Sequence, residues 1–227
     1  MTFSSLTRSA VLSLLAGTLV QAESMADVLA RMDRAAGEFR SLSATMKRIH
    51  YTAVLNETEE TDGTVRLKRL KGSTIGVLEF RQPETRTIFI NGKTVQVFYP
   101  KANTVEIYDA SKYTSSMEQI ILLGFGTSST ELKKSYDIKD GGSQKINGTA
   151  TTGLDLLPKS SELKTLITKI EMWIAEGQST PLRVKFSEPS KNYEQVDYSD
   201  NQTNPALPDS AFELKLPVGV KKIFPQK

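Results

Sequence analysis

His50, the Ser161 to Lys164 run, the glycines at 124 and 126 and Arg69 are the residues whose types could do chemistry here. Spacing narrows the choice quickly. His50 is the only histidine and there is no cysteine, so no histidine-based or thiolate zinc site can be assembled. A Ser-His-Asp triad would have to use His50, yet no Gly-x-Ser-x-Gly elbow is present to expose a nucleophile. Ser161-Glu-Leu-Lys164 matches Ser-x-x-Lys, but its companion Lys-Thr-Gly is absent and a four-residue match arises readily by chance. Gly124-Phe-Gly126 lacks the lysine of a phosphate-binding loop and follows a helix-like run, so a helix end is the simpler reading. These observations argue against an enzyme and against a metal or other cofactor. Arg69 is different. It falls in phase with apolar Val65 and Leu67, where a guanidinium needs partners. It either reaches water at the strand end, bonds carbonyls of a covering segment, or meets a ligand's polar group.

The elements that would position Arg69 are mostly strands. Arg86 to Tyr108 carries three short β-type runs: Ile88 and Ile90 lead into Asn91-Gly92, and Val95, Val97 and Tyr99 follow at period two. All five then share one face of an antiparallel hairpin, with Asn-Gly suited to a type I′ turn. Val105 and Ile107 resume the alternation after Pro100. Upstream, Ser24 caps a helix over Met25 to Phe39 with Val28, Leu29, Met32 and Ala36 on one stripe. A strand is expected over Ser41 to Thr52, in which Ala44, Met46, Arg48 and His50 oppose Thr45, Lys47, Ile49 and Tyr51. Asn56 to Gly63 reads as an acidic turn, and Thr64 to Leu70 as a strand with Val65 and Leu67 inward. Ile75 to Arg81 follows, with Leu78 and Phe80 in phase. Five strands without an intervening helix indicate an antiparallel sheet.

Met117, Ile120, Ile121, Leu122, Leu123 and Phe125 then form a short, almost wholly apolar helix. It either fills the core or lies as a lid over a cavity. A second short helix spans Thr130 to Tyr136, capped by Ser128 or Ser129. Strands are expected over Thr151 to Leu157, Thr168 to Ile174, Leu182 to Ser187 and Tyr193 to Tyr198, with a last one over Phe212 to Leu216. The face bearing Ile170, Met172 and Ile174 is apolar, as is that of Leu182, Val184 and Phe186, while Lys169, Glu171, Arg183 and Lys185 oppose them.

Arg8, the apolar run from Ala10 to Val20 and Val20-Gln21-Ala22 have the pattern of a secretory signal cut after Ala22, which predicts an exported protein of residues 23–227 forming one domain. The run is too short for a membrane span. A net charge of +3, with basic and acidic residues interleaved, offers no nucleic-acid surface. The sequons at Asn56, Asn147 and Asn201 would matter only in a eukaryotic secretory route.

Several stretches, taken in order, resemble the LolA family of periplasmic outer-membrane lipoprotein carriers. They are the N-terminal helix followed by Leu42-Ser43-Ala44, Asp62-Gly63-Thr-Val-Arg-Leu-Lys-Arg69, Asn91-Gly92-Lys93-Thr94 with Phe98-Tyr99-Pro100, the apolar 117–125 helix, and Phe212 with Pro217, Gly219 and Val220. Leu70 stands where the family usually has proline, and Gln96 where it commonly has an aromatic. The resemblance implies an α+β, mainly β fold: an incomplete, curled antiparallel β-barrel covered by a short-helix lid. It implies a lipid-binding cavity walled by Val65, Leu67, Leu78, Phe80, Ile88, Ile90, Val95, Val97, Tyr99 and Ile107. It also implies a lid at Met117, Ile120, Ile121, Leu122, Leu123 and Phe125, with Arg69 as its latch or as a ligand contact. The implied partners are acylated lipoproteins, an inner-membrane ABC-type lipoprotein-releasing transporter and an outer-membrane acceptor, with the chain itself a periplasmic monomer. Carriers of other lipids and envelope-stress sensors share this fold.

Overall fold

The computed structural model describes residues 23–81, 83, 85–111 and 122–225. Its frame is one mixed sheet of twelve strands in the order β12-β6-β5-β4-β3-β2-β1-β11-β10-β9-β8-β7. The two outer strands, β7 and β12, do not pair with each other, so the sheet curls without closing. Every neighbouring pair is antiparallel except β12 with β6.

Helix α1 spans Met25–Glu38, and Ser24 caps it by accepting from the Asp27 N–H at 3.3 Å. Its stripe of Val28, Leu29, Met32 and Ala36 is buried. β1 (Ser41–Thr52) pairs along its whole length with β2 (Glu57–Leu70). The acidic segment at 57–62 is therefore strand and not turn. The reversal lies at 53–56, where Asn56 takes the left-handed φ of 52°, and Lys47 answers Glu60 across the ribbon. β3 (Ser73–Phe80), β4 (Arg86–Asn91), β5 (Thr94–Tyr99) and β6 (Thr104–Asp109) continue the meander. At the β4–β5 reversal the two loop residues are Gly92 and Lys93, and only Gly92 has positive φ, at 55°. That is the signature of a type II′ turn and not the expected type I′.

The second half begins with α2 (Ser129–Ser135), whose Ser128 and Glu131 form a complete capping box. β7 (Tyr136–Ile146), absent from the sequence reading, pairs with β8 (Thr149–Pro158) through a register shift between Asp140 and Ser143. Helix α3 (Ser161–Leu166), also unanticipated, precedes β9 (Lys169–Ala175), β10 (Pro181–Ser187) and β11 (Tyr193–Thr203). Leu182 is the residue skipped at a second register shift, so Pro181 takes the inward place opposite Ile174. Phe212–Leu216 is not a strand. Phe212 ends a 3₁₀ turn and buries against Val77 and Phe89 on the convex side, and the last strand is β12 (Lys221–Ile223).

Candidate functional site

Antiparallel partners project to the same side of a sheet, so the register assigns each side chain to a face. Val65 lies opposite Leu78, Leu78 opposite Ile88, and Ile88 opposite Val97. Ile90 and Val95 face each other in the same row, and Tyr99 follows Val97 in phase. The concave face of β2–β5 therefore carries nine of the ten wall residues expected from the sequence. Ile107 is the exception. It pairs with Gln96 and so lies on the convex side, while Glu106 and Tyr108 occupy the concave positions of β6.

Coverage of that wall is graded. Val65, Leu67 and Phe80 are buried beneath Phe39, Leu122 and Phe125. Ile90 and Val95 are buried beside Ala110. Leu78, Ile88, Val97 and Tyr99 remain only half-buried. At this outer end the Tyr108 hydroxyl donates to Glu106 Oε2 at 2.7 Å. That bond, with burial, pushes the Tyr108 phenol up to about 12.

Of the expected lid, Met117, Ile120 and Ile121 lie outside the described residues. Leu122, Leu123 and Phe125 form a tight turn at 122–126 that straddles the two halves of the sheet: Leu123 packs beside Met172, Leu122 and Phe125 beside Phe39 and Leu67. Phe125 meets the Tyr198 ring edge-on at 4.8 Å. Burial alone raises the Tyr198 phenol well above its ordinary range. Two glycines allow the close fit. A Cβ on Gly124, whose φ is +79°, would strike Met172 and Pro181, and one on Gly126 would strike Phe39.

Arg69 closes this arrangement. Its guanidinium donates to the Ala36 carbonyl at 2.8 Å and to the Gly126 carbonyl at 2.5 Å, and stands 5.1 Å from the Phe39 ring centre. One side chain thus ties the last turn of α1 to the 122–126 turn. Of the roles open to it from the sequence, bonding the carbonyls of a covering segment is the one observed. Asp33 adds a second tie, accepting from both the backbone N–H and the hydroxyl of Ser129 at the start of α2.

A cavity of about 780 Å³ lies elsewhere. It opens at the end of β1, β10 and β11 beneath α3, and is lined by Arg48, Thr165, Leu166, Ile167, Phe186, Glu188, Pro189, Ser190, Glu194 and Val196. None of these is singled out by its sequence context. A signal existed: Arg48 and His50 alternate in phase with Ala44 and Met46, both buried, and so had to lie on the concave face. His50 Nδ1 is 2.7 Å from Glu194 Oε1, which also accepts from Arg48.

The Ser-x-x-Lys match is not brought together with a partner motif. Ser161 and Lys164 lie on α3 beside the Ser187 end of β10. The chain does contain a Ser-Asp-Asn run, at 199–201, but Asn201 bonds Thr180 and Pro181 at the other end of β10. Seven strand residues separate the two, roughly 20 Å. Among the described residues, no group of three or more His, Asp or Glu could hold a metal ion, and no helix is long and apolar enough to cross a membrane.

The family model described as outer membrane lipoprotein carrier protein LolA matches residues 38–215. Among solved structures, an uncharacterised conserved protein from Thermus thermophilus superposes with a TM-score of 0.55 at 14% identity, covering 89% of this chain and 99% of that one. MucB superposes with a TM-score of 0.51 at 13% identity over 88% of this chain and 64% of its own; a complex with MucA is known from Pseudomonas aeruginosa. The Mycobacterium tuberculosis lipoprotein LppX gives 0.47 at 16% identity, covering 81% and 99%. At such identities the first two of these speak for the fold alone. No curated protein sequence matches the chain closely.

Proposed function

This chain belongs to the LolA family, and from that premise we propose that it carries lipoproteins by sheltering their acyl chains against the concave face of its sheet. One observation carries the reading: an apolar wall in strict register, of which Leu78, Ile88 and Val97 stay partly exposed. A packed core would not leave such side chains accessible, because each buried CH₂ is worth about 0.8 kcal/mol. A lipid with some fifteen methylenes per chain faces a cost on the order of 12 kcal/mol in water, and this wall would offset it.

Opening would release the load. Few polar contacts hold the 122–126 turn to α1, with Arg69 at their centre, so the cover can part without unfolding the sheet. In this reading residues 1–22 direct export to the periplasm. An ABC-type transporter at the inner membrane loads the carrier, and an acceptor at the outer membrane unloads it. The test is release of acylated lipoproteins from spheroplast membranes by the added protein. Release of lipoproteins into the soluble fraction is expected, and unacylated variants should not depend on the protein. No release, together with a gene deletion that alters envelope-stress signalling without mislocalising lipoproteins, would favour a sensor on the same fold.

A further inference from the structure

β2 runs past the strand on its far side. Its pairing with β1 starts at Glu57, whereas its pairing with β3 starts only at Gly63. Residues 57–62 therefore have a strand along one edge alone. Alternate residues of a strand turn their N–H and C=O to opposite edges. The Arg69 N–H reaches the Arg40 carbonyl on the β1 side at 2.7 Å, and the Asp62 carbonyl accepts from the Arg81 N–H on the β3 side at 2.8 Å. Odd-numbered residues of β2 thus bond β1, and Thr58 and Glu60 turn their backbone groups to the open edge. An open edge is a template for another strand, and proteins commonly blunt it. The outer edge of β7 is blunted by a register shift between Asp140 and Ser143, where Asp140 Oδ1 accepts from the Gly142 N–H. The 57–62 edge has no such break in its register with β1, and five of its six residues are exposed.

The ribbon also carries recognition chemistry. Between 53 and 62 there are four carboxylates and no basic residue. Lys47 answers Glu60, while Arg48 and His50 turn to Glu194, so Glu57 and Glu59 have no ion pair among the described residues. At the tip, Val54 is 89% exposed and Leu55 63%. The tip is braced. Asn56 holds the reversal with its left-handed φ and accepts from the Tyr51 hydroxyl at 3.0 Å. Tyr51 stacks on Tyr193 at 5.0 Å, and the Ala53 N–H donates to Asn192 Oδ1 at 2.9 Å. Two large aliphatic side chains are thus held in water on a rigid support, with the ordering cost of binding already met. Charge and shape select the occupant. The carboxylates repel an anionic lipid surface, and edge pairing with a second copy would set like charges across the strands. A flexible cargo segment offers no hollow in which Val54 and Leu55 could bury.

We propose that the β1–β2 ribbon is the docking surface for a folded partner protein, which lays a basic edge strand along residues 57–62 and receives Val54 and Leu55 in an apolar hollow beside it. Backbone pairing at Thr58 and Glu60 supplies the attachment, and the carboxylates and the tip supply the selection. The surface goes beyond the carrier reading. It lies outside the apolar wall of β2–β5 and stands whatever the concave face holds.

The experiment follows amide hydrogen exchange of residues 23–227, residue by residue, as an alternating lysine–threonine peptide is added as a mimic of the partner strand. Exchange at Thr58 and Glu60 is expected to slow about tenfold, with Glu59 and Thr61, already bonded to β1, unchanged. N-methylation of the peptide's pairing amides keeps its charge and should abolish the protection. Thr58→Pro should do the same from the other side, since it removes an outward N–H at a place where an edge strand tolerates proline. Glu57→Gln with Glu59→Gln should weaken binding, most at low salt. A photocrosslinking residue in place of Val54 tests the tip in cells: a discrete protein adduct is expected, and it should vanish with Thr58→Pro. Equal protection by the N-methylated peptide would reduce the effect to charge attraction and overturn edge pairing, as would an adduct that survives Thr58→Pro. Self-association of residues 23–227, or binding to phosphatidylethanolamine–phosphatidylglycerol vesicles, that is lost in Val54→Ser with Leu55→Ser would assign the tip to a second copy or to lipid and overturn the proposal.

Discussion

The concave faces of β8–β10 and of β3–β5 are built from the same alternation of aliphatic side chains, yet they end in opposite states. Leu154, Leu156, Ile170, Met172 and Ile174 are all 0% exposed, roofed by Val28 and Met32 of α1 and Leu132 of α2. Leu78, Ile88 and Val97 are half-buried. Strand chemistry does not make the difference; the reach of the cover does. A helix of 14 residues is about 21 Å long, and strands lie about 4.8 Å apart, so α1 can roof some four strands of twelve. What it covers is core, and Leu78, Ile88 and Val97, which it leaves, stay partly exposed. The 122–126 turn lies on the border between the two regimes and is held there by Arg69.

The largest expected effect is on stability in the roofed half. Leu156→Ala should cost about 2–5 kcal/mol, as for other fully buried leucines, whereas Ile88→Ala should cost about 1 kcal/mol and instead weaken acyl-probe binding several-fold. Urea unfolding of the two variants, with probe titration, checks the contrast; equal stability losses would erase it. Next comes Arg69→Leu, which strips a charged donor from the Ala36 and Gly126 carbonyls. About 2 kcal/mol of stability should go with the fold retained, while acyl release quickens. Lipoprotein hand-over at an unchanged rate would deny Arg69 a latch role. Gly126→Ala should act on the same contact from the other side, because its Cβ would meet Phe39 at 2.7 Å; a lowered thermal midpoint is expected.

The smallest effect is on alkaline stability at the open end. The Tyr108 phenol is raised from 10.0 to about 12 by its bond to Glu106 and by burial. The folded chain therefore keeps this proton where an unfolded tyrosine has lost it. Its contribution is complete below about pH 10 and is lost as pH rises from there towards about 12. Urea midpoints measured across that window should fall less steeply in Tyr108→Phe than in the parent chain. Parallel curves would show that the Glu106 bond does not persist in solution.

Local signals in the sequence reached far into the fold. Period-two runs found β4 and β5 and gave the shared facing of Ile88, Ile90, Val95, Val97 and Tyr99, because one face had to be greasy for the strands to pair at all. Ser24 announced α1. Glycines misled where they served packing instead of turning. Asp140-Gly-Gly reads as a break, but Gly141 lies within β7, where a Cβ would come within 2.9 Å of the Gly153 backbone in β8. The acidic run at 57–62 reads as a turn because it presents no apolar face, although Thr61 within it is buried; its pairing with β1 is sustained by cross-strand contacts such as Lys47 with Glu60. Ile107 lies on the opposite wall from the one its alternation suggests because Pro100–Ala102 forms a 3₁₀ turn, and the register across it follows from pairing that the sequence alone does not display. The cavity beneath α3 depends on strands far apart in the chain. Arg48 and Glu194 are 146 residues apart, and neither shows its partner in its own neighbourhood.

Native mass spectrometry of residues 23–227, purified without detergent, tests the central claim most directly. The account predicts a bound population heavier than the bare chain by one acylated molecule, stripped by a competing acyl probe and rebuilt when lipid-modified peptide is added. A bare chain that takes up neither the probe nor the lipidated peptide would contradict it.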